Sequence, residues 1–213
     1  MQMVKGVTAS LAAGTWFRPI CKERKIPVHP QTLMECLEDN PVIAAICDDK
    51  WTEALAAPVQ VLFYLSANLL TVKERIRQAH EAGKLVMVHI DLAEGIGKDS
   101  AGVQYLADCG ADGNISTRAN MIRLAKSHGL VAIQRVFALD SKGMDSIEEM
   151  IKNANPHLVE IMPGVVEKAI RRFSQGRTPV IAGGLIETKQ EVTGILRCGA
   201  LAVSTGKKEL WHV

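Results

Sequence analysis

The chain has 213 residues, of which 47% are hydrophobic and 23% charged, a composition ordinary for one soluble globular domain. Its formal net charge of +2 is too small to indicate polyanion binding by itself, and no apolar run reaches the roughly 18 to 20 residues of a membrane-spanning helix. Aromatic residues make up only 4%, which favours buried parallel strands covered by helices over an all-β sandwich.

The five cysteines are widely spaced and form no C-x-x-C pair, which argues against a zinc site or a disulfide framework. We therefore expect a cytoplasmic protein without a metal ion or cofactor. Residues 1–40 are interpreted as an N-terminal extension rather than a signal peptide. Because residues 1–34 carry a net charge of +4, the rest of the chain carries −2.

From Pro41 onward, short β-rich runs alternate with amphipathic helical stretches, many of which end at a glycine. The predicted strands are Val42–Ile46, Val59–Leu65, Leu85–Ile90, Gly113–Thr117, Leu130–Val136, His157–Met162, Pro179–Ala182 and Leu201–Ser204.

The predicted helices alternate with these strands, and three of them have a sequence signal for their first turn. Thr71 with Glu74 and Thr188 with Glu191 have the spacing of capping boxes, and Asn120 has the character of an N-cap. Eight strands with seven intervening helices predict an α/β fold, a compact (β/α)8 TIM-type barrel over residues 41–213. An open doubly wound sheet is the alternative.

In a parallel barrel the ligand site lies at the carboxyl ends of the strands, so polar residues there are the candidates. Alternation along the third and fifth strands predicts that His89 and Asp91 face the barrel mouth, and that Gln134 rather than Arg135 points inward. A carboxylate inside an apolar strand is costly unless paired, which favours a polar partner for Glu160. The candidates for polar ligand contacts are His89, Asp91, Ser116, Arg118, Gln134 and Glu160.

Small residues follow the sixth, seventh and eighth predicted strands, where many barrels bind phosphate through backbone N–H groups. Because glycine has no Cβ, an anion can approach the main chain closely there. Lys207 or Lys208 could supply a counter-charge. The predicted phosphate-binding residues are Gly164, Gly183, Gly184, Ser204 and Thr205.

The chain contains no P-loop, no G-x-S-x-G motif and no H-E-x-x-H motif, and no lysine lies mid-strand in an apolar setting. An enzyme that uses Asp91, His89 and Glu160 as acid and base remains an alternative. The alternative function is therefore a phosphosugar isomerase- or aldolase-like enzyme, and a structural barrel with a vestigial site is a third alternative.

Five segments resemble, in order and spacing, those of the glycerol uptake operon antiterminator regulatory proteins: His89–Leu92, Ile115–Arg118, Ala132–Asp140, Val159–Gly164 and Ala182–Thr188. The resemblance extends from about Pro41 to Trp211. It implies a non-enzymatic barrel that binds glycerol 3-phosphate and then acts on leader messenger RNA to prevent transcription termination at a glycerol-metabolism operon.

The resemblance also implies roles for individual residues. The phosphate would be held by Gly183, Gly184, Ser204 and Thr205, with Gly164 alongside. The glycerol hydroxyls would be faced by His89, Asp91, Gln134 and Glu160. One departure is Gly206, because similar proteins often have a serine there.

RNA binding has little independent support in the sequence, because RRM, KH and zinc-knuckle signatures are absent. Basic residues on an amphipathic helix are usually a solvated surface. The predicted partners are glycerol 3-phosphate and leader mRNA, with no membrane contact, and a homo-oligomer is left open. The candidate RNA contacts are Arg171, Arg172, Lys207 and Lys208, together with the stretch 18–25.

Overall fold

The computed structural model describes residues 28–212, and eight parallel strands close a barrel in the order of the sequence. Each strand pairs with the next, and the last pairs with the first, where Ile43 lies opposite Ser204. The barrel prediction is confirmed, and the open-sheet alternative is wrong. The strands are β1 (Val42–Ile46), β2 (Val61–Tyr64), β3 (Leu85–His89), β4 (Gly113–Ser116), β5 (Val131–Phe137), β6 (Leu158–Met162), β7 (Val180–Gly183) and β8 (Ala202–Thr205).

Within residues 28–212, seven helices follow the strands in turn, and one further helix precedes β1. They are α1 (Pro30–Asp39), α2 (Trp51–Ala56), α3 (Val72–Glu81), α4 (Ser100–Asp108), α5 (Ala119–Ser127), α6 (Ser141–Ala154), α7 (Glu167–Phe173) and α8 (Lys189–Arg197). Short 3-10 helices occupy Asp48–Lys50, Ile90–Leu92 and Lys208–His212. Within residues 28–212, no helix combines the length and the apolarity needed to cross a bilayer.

The helix-start signals in the sequence are only partly correct. At α8 the capping box is present, because Thr188 accepts from the Glu191 N–H and the Glu191 carboxylate accepts from the Thr188 N–H. At α3, Thr71 already has helical backbone angles and its side chain makes no cap hydrogen bond. Asn120 lies inside α5, one residue beyond its start, so it is not the cap.

Helix α1 closes the amino-terminal end of the barrel. Leu33 and Leu37 are fully buried and pack with the side chains that point inward from the strands. His29 caps this helix, and Pro30 occupies its first turn, where a missing N–H costs nothing. Residues 28–39 therefore contribute to the core of the barrel and are not part of an N-terminal extension. The basic stretch 18–25 lies outside the described residues.

Two apolar clusters make up the core, one inside the barrel and one between the strands and the outer helices. Successive residues of each strand alternate between them, so both faces of most strands are apolar. The inner cluster contains Ile115, Val131 and Ile133, whereas Ala132 and Val136 belong to the outer one. This alternation decides which polar side chains reach the mouth of the barrel.

Candidate functional site

A cavity of about 470 Å³ opens at the carboxyl ends of β6, β7, β8 and β1. Its volume lies within the usual range of small-molecule sites, about 300–1,000 Å³. This is the part of the barrel in which the sequence predicted a ligand site. The polar and glycine residues of its lining are Lys50, Arg135, Glu160, Gly184, Glu187, Ser204, Thr205, Gly206 and Lys207.

A buried polar network forms the inner wall of the cavity. Arg135 Nε donates to Glu160 Oε2 over 2.6 Å, and the Ser204 hydroxyl donates to Glu160 Oε1, also over 2.6 Å. Glu160 is only 1% exposed, so its charge depends on these partners. A Cβ at Gly183 would lie 2.4 Å from Glu160 Oε1, which explains why this position requires glycine.

The predicted orientation of β5 is wrong. Arg135 lies opposite Glu160 and reaches the cavity, whereas Gln134 lies opposite Val159 and faces the outer helices. The error arises because both faces of β5 are apolar, so that side-chain polarity does not reveal which face points inward. Gln134 is fully buried, and neither of its amide atoms has a hydrogen-bond partner among the described residues.

His89 points into the barrel, as predicted, but is not among the residues that line the cavity. It is 3% exposed, and its Nδ1 atom has no hydrogen-bond partner within residues 28–212. Burial, and to a lesser extent the nearby positive charge of Arg135, lower the pKa of His89 to about 4, although the Asp91 carboxylate opposes the shift. The imidazole is therefore neutral at physiological pH.

Asp91 and Ser116 form a separate cluster at the ends of β3 and β4. The Ser116 and Thr117 hydroxyls and the Thr117 N–H donate to the Asp91 carboxylate over 2.7–2.9 Å. Burial raises the pKa of Asp91, but these hydrogen bonds outweigh it, so that the pKa is lowered overall. Arg118 Nε lies 3.8 Å from Asp91 Oδ1, and its side chain is 53% exposed. Ile115, not Ser116, packs inside the barrel, so this cluster joins two strand ends and does not line the cavity.

The glycine-containing turns differ in the N–H groups that they offer. The Gly164 N–H donates to the carbonyl oxygens of Gly183 and Gly184, at 2.6 and 3.2 Å, so it offers no free donor to an anion. Gly184 has a φ of +80°, a conformation that favours glycine. Among the described residues, neither the Gly184 nor the Gly206 N–H has a hydrogen-bond acceptor. These two glycines flank the cavity at the ends of β7 and β8.

The hydroxyls at the end of β8 are already engaged. Ser204 donates to Glu160, and Thr205 Oγ1 donates to the Ile186 carbonyl over 2.9 Å and accepts from the Lys207 N–H. Because each hydroxyl has a single proton and already donates it, neither side chain offers a donor to an anion in this arrangement. Thr205 also fixes the 3-10 helix that follows, because Trp211 Nε1 donates to its carbonyl.

Lys50 is a cavity residue that the sequence analysis missed. Its Nζ donates to the Gly206 carbonyl oxygen over 2.8 Å. Lys207, by contrast, pairs with Glu187 at 3.2 Å, and Lys208 pairs with Glu53 outside the cavity. Within the described part of the chain, no group of three or more His, Cys, Asp or Glu side chains is arranged to hold a metal ion.

The candidate RNA-binding arginines lie on α7 and are paired with acids. Arg171 contacts Glu167 at 3.3 Å, and Arg172 contacts both Asp145 and Glu148 at 2.6 and 2.8 Å. These carboxylates offset the positive charge of the two arginines. RNA binding by Arg171, Arg172, Lys207 and Lys208 stays a prediction.

Residues 42–211, which include the whole barrel and its cavity, match the family model of the glycerol-3-phosphate responsive antiterminators. The chain belongs to this family. A curated relative, the "Uncharacterized protein YgcP" of Escherichia coli K12, is 32% identical over 182 residues, which cover 84% of this chain and 95% of that protein.

Solved structures agree with this membership. A glycerol uptake operon antiterminator regulatory protein from Listeria monocytogenes is 34% identical, with a TM-score of 0.77 over 81% of this chain and 95% of that one. A glycerol uptake operon antiterminator-related protein from Thermotoga maritima is also 34% identical, with a TM-score of 0.73 over 80% of this chain and 96% of that one. A structure named as an aldolase, at 14% identity and a TM-score of 0.64, shares the fold alone. The resemblance to the antiterminator family is confirmed, and the family and these neighbours support a regulator of a glycerol operon.

Proposed function

We propose that this chain binds glycerol 3-phosphate in the strand-end cavity and, when loaded, acts on the leader mRNA of a glycerol-utilisation operon to prevent transcription termination. The observation that carries the proposal is the family match over residues 42–211, the region that contains the cavity. The proposal implies a cytoplasmic protein, because leader mRNA is made there.

The phosphate group is assigned to the side of the cavity formed by the turns after β7 and β8. The free N–H groups of Gly184 and Gly206 support this assignment, because main-chain N–H groups at strand ends are common phosphate ligands in barrels. Among the described residues, the cavity lining also carries three cations, Lys50, Arg135 and Lys207, against two carboxylates. This excess of positive charge suits an anion.

The glycerol end is assigned to the inner wall, where Arg135 and Glu160 form their ion pair. The two charges offset each other, so the wall offers hydrogen-bonding groups without a strong net charge. Neutral His89 also points into the barrel, but it does not line the cavity and is not assigned to the glycerol end. Such a wall suits the hydroxyl groups of a polyol better than a second charged group.

An in vitro transcription assay tests the regulatory part of the proposal. The template carries the leader and terminator of a glycerol-utilisation operon from the source of this chain, and the product measured is the fraction of transcripts that pass the terminator. We expect read-through to rise only when the protein and glycerol 3-phosphate are both present. Glycerol without phosphate serves as the ligand control, and an unrelated terminator serves as the template control.

Read-through that does not respond to glycerol 3-phosphate would contradict the proposed coupling. Binding of leader RNA should also weaken as salt rises, because contacts to phosphate groups release counterions. RNA binding that ignores both ligand and salt would contradict the RNA part of the proposal.

The enzyme alternative has less support. The eight strands of the barrel contain no lysine, so a Schiff-base aldolase would lack a nucleophile on a strand. Each carboxylate oxygen of Glu160 already accepts one hydrogen bond, from Arg135 or from Ser204, which favours a structural role in the cavity wall over that of a general base. We therefore favour a non-enzymatic regulator.

A further inference from the structure

In the part of the chain that the structure describes, three positively charged side chains line the cavity, and they differ in their partners. Arg135 is paired with Glu160, and Lys207 is paired with Glu187. Lys50 has no carboxylate within salt-bridge distance among the described residues, and its recorded hydrogen bond is to the carbonyl of Gly206. A carbonyl oxygen satisfies one of three ammonium donors and carries no full negative charge. Lys50 is therefore the cation best able to accept an anionic partner.

The turn that carries Lys50 is held firmly on both sides. Asp48, two residues earlier, accepts from the Tyr64 hydroxyl over 2.9 Å and pairs with Arg75 at 3.0 Å. Trp51, the next residue, is buried, and its ring lies 4.9 Å from that of Tyr64. Because its neighbours are fixed, Lys50 loses less conformational freedom when it binds a ligand than a lysine on a free loop would.

Lys50 also lies beside a main-chain N–H group that could bind the same anion, that of Gly206. Its Nζ lies 2.8 Å from the Gly206 carbonyl, so the ammonium is close to a turn whose Gly206 N–H has no acceptor within residues 28–212. A Cβ at Gly206 would lie 3.7 Å from Lys50 Nζ, so the absence of a side chain there keeps the approach to the ammonium open. An anion beside Gly206 could contact the ammonium and the N–H groups together.

We propose that Lys50 is the main cationic ligand of the phosphate group, acting together with the N–H groups of Gly184 and Gly206. This inference rests on the proposed function, because it assigns a residue to the phosphate end of that same site. It replaces Lys207 and Lys208, the counter-charges expected from the sequence, because both of these are already paired with carboxylates.

The test compares binding of glycerol 3-phosphate to the wild-type chain and to two variants, Lys50→Gln and Lys208→Gln, by isothermal titration calorimetry. Lys50→Gln keeps a donor for the Gly206 carbonyl but removes the charge. We expect it to weaken binding about 10- to 100-fold, because a hydrogen bond to a charged group is lost. Lys208→Gln removes a nearby charge that is paired outside the cavity and should change affinity less than about 3-fold.

A melting temperature measured without ligand checks that both variants fold as the wild type does, and Lys50→Arg provides a second variant. Arginine restores the positive charge, so it should recover part of the lost affinity. If the wild type and Lys50→Gln bind glycerol 3-phosphate equally well, the proposed role of Lys50 is wrong, whereas the proposed function stands.

If the wild type does not bind glycerol 3-phosphate, the proposed ligand is wrong, and inorganic phosphate then tests Lys50 separately. Chemical-shift titration of the wild type and of Lys50→Gln with inorganic phosphate would support the anion site if the variant alone lost its response. Equal responses, or no response in either protein, would overturn it.

Discussion

Replacing Arg135 by methionine should destabilise the barrel strongly. The guanidinium contacts Glu160 at 2.6 Å, and the two side chains are 10% and 1% exposed. Without Arg135, the carboxylate keeps the hydrogen bond from Ser204 but loses its buried counter-charge. Breaking a buried ion pair by removing one partner costs about 3–5 kcal/mol. We expect Arg135→Met to lower the free energy of unfolding by this amount, a large part of the about 5–15 kcal/mol typical of a domain.

A second substitution separates the effect of charge from the effect of packing. Glu160→Gln in the Arg135→Met background removes the unpaired charge, while its amide oxygen can still accept from Ser204. We expect the double variant to be more stable than Arg135→Met by about 2 kcal/mol or more. Arg171→Met is the matched control, because its partner Glu167 is exposed and such a pair contributes about 0–1 kcal/mol.

Urea unfolding provides the measurement, with the fluorescence of the buried Trp51 and Trp211 as the signal. A cost below about 1 kcal/mol for Arg135→Met would refute the reasoning, as would a double variant no more stable than the single one. Either result would mean that Glu160 does not depend on the guanidinium inside the cavity wall.

Three further predictions concern the inner wall and the misassigned strand face. Folded His89 stays neutral down to about pH 4, whereas a histidine in the unfolded chain takes up a proton near pH 6.5, so the free energy of unfolding should decrease by up to about 3 kcal/mol as the pH falls from 6.5 to 4. His89→Gln should remove this part of the pH dependence, and an unchanged slope in the variant would contradict the prediction. Gly183→Ala places a Cβ 2.4 Å from Glu160 Oε1 and should lower the free energy of unfolding, measured in urea, by about 1–3 kcal/mol. In the control Gly194→Ala, the nearest atom to the new Cβ would be 3.6 Å away, so we expect no loss of stability. Equal effects of the two substitutions would be inconsistent with a crowded cavity wall. Gln134→Met should raise the free energy of unfolding by about 1–2 kcal/mol, because both amide atoms are buried without a partner, and a loss of stability would count against this.

The barrel was predictable because its signals are local. Every predicted strand agrees with the structure to within two residues, since each β-rich run is bounded by glycine, proline or a helix-start signal. Thr71 shows the limit of such signals: it has the spacing of a capping box, but its backbone is already helical. Helix α1 was missed, although Pro30 and the apolar pair Leu33 and Leu37 were signals that could have indicated it.

The site was predictable only in part, because orientation depends on register. Glu160, Gly184, Ser204 and Thr205 do line the cavity, since polar and small residues stand out at the ends of apolar strands. The sequence predicts Gln134, and not Arg135, as the inward residue of β5, because both faces of that strand are apolar. The pairing of Arg135 with Glu160 on β6 shows that Arg135 is the residue that points inward.

Lys50 could not be recognised from its surroundings in the sequence. It follows β1 and directly precedes α2, where a lysine is usually a solvated residue near the start of a helix. Its place beside Gly206 depends on closure of the barrel between β8 and β1, which brings together residues 156 positions apart.

Binding of glycerol 3-phosphate to the wild-type chain can be measured by calorimetric titration. We expect saturable binding of one ligand molecule to each chain, with little or no binding of glycerol at the same concentrations, because the cavity recognises the phosphate group. Absence of saturable heat at millimolar glycerol 3-phosphate, or equal binding of glycerol, would contradict this expectation.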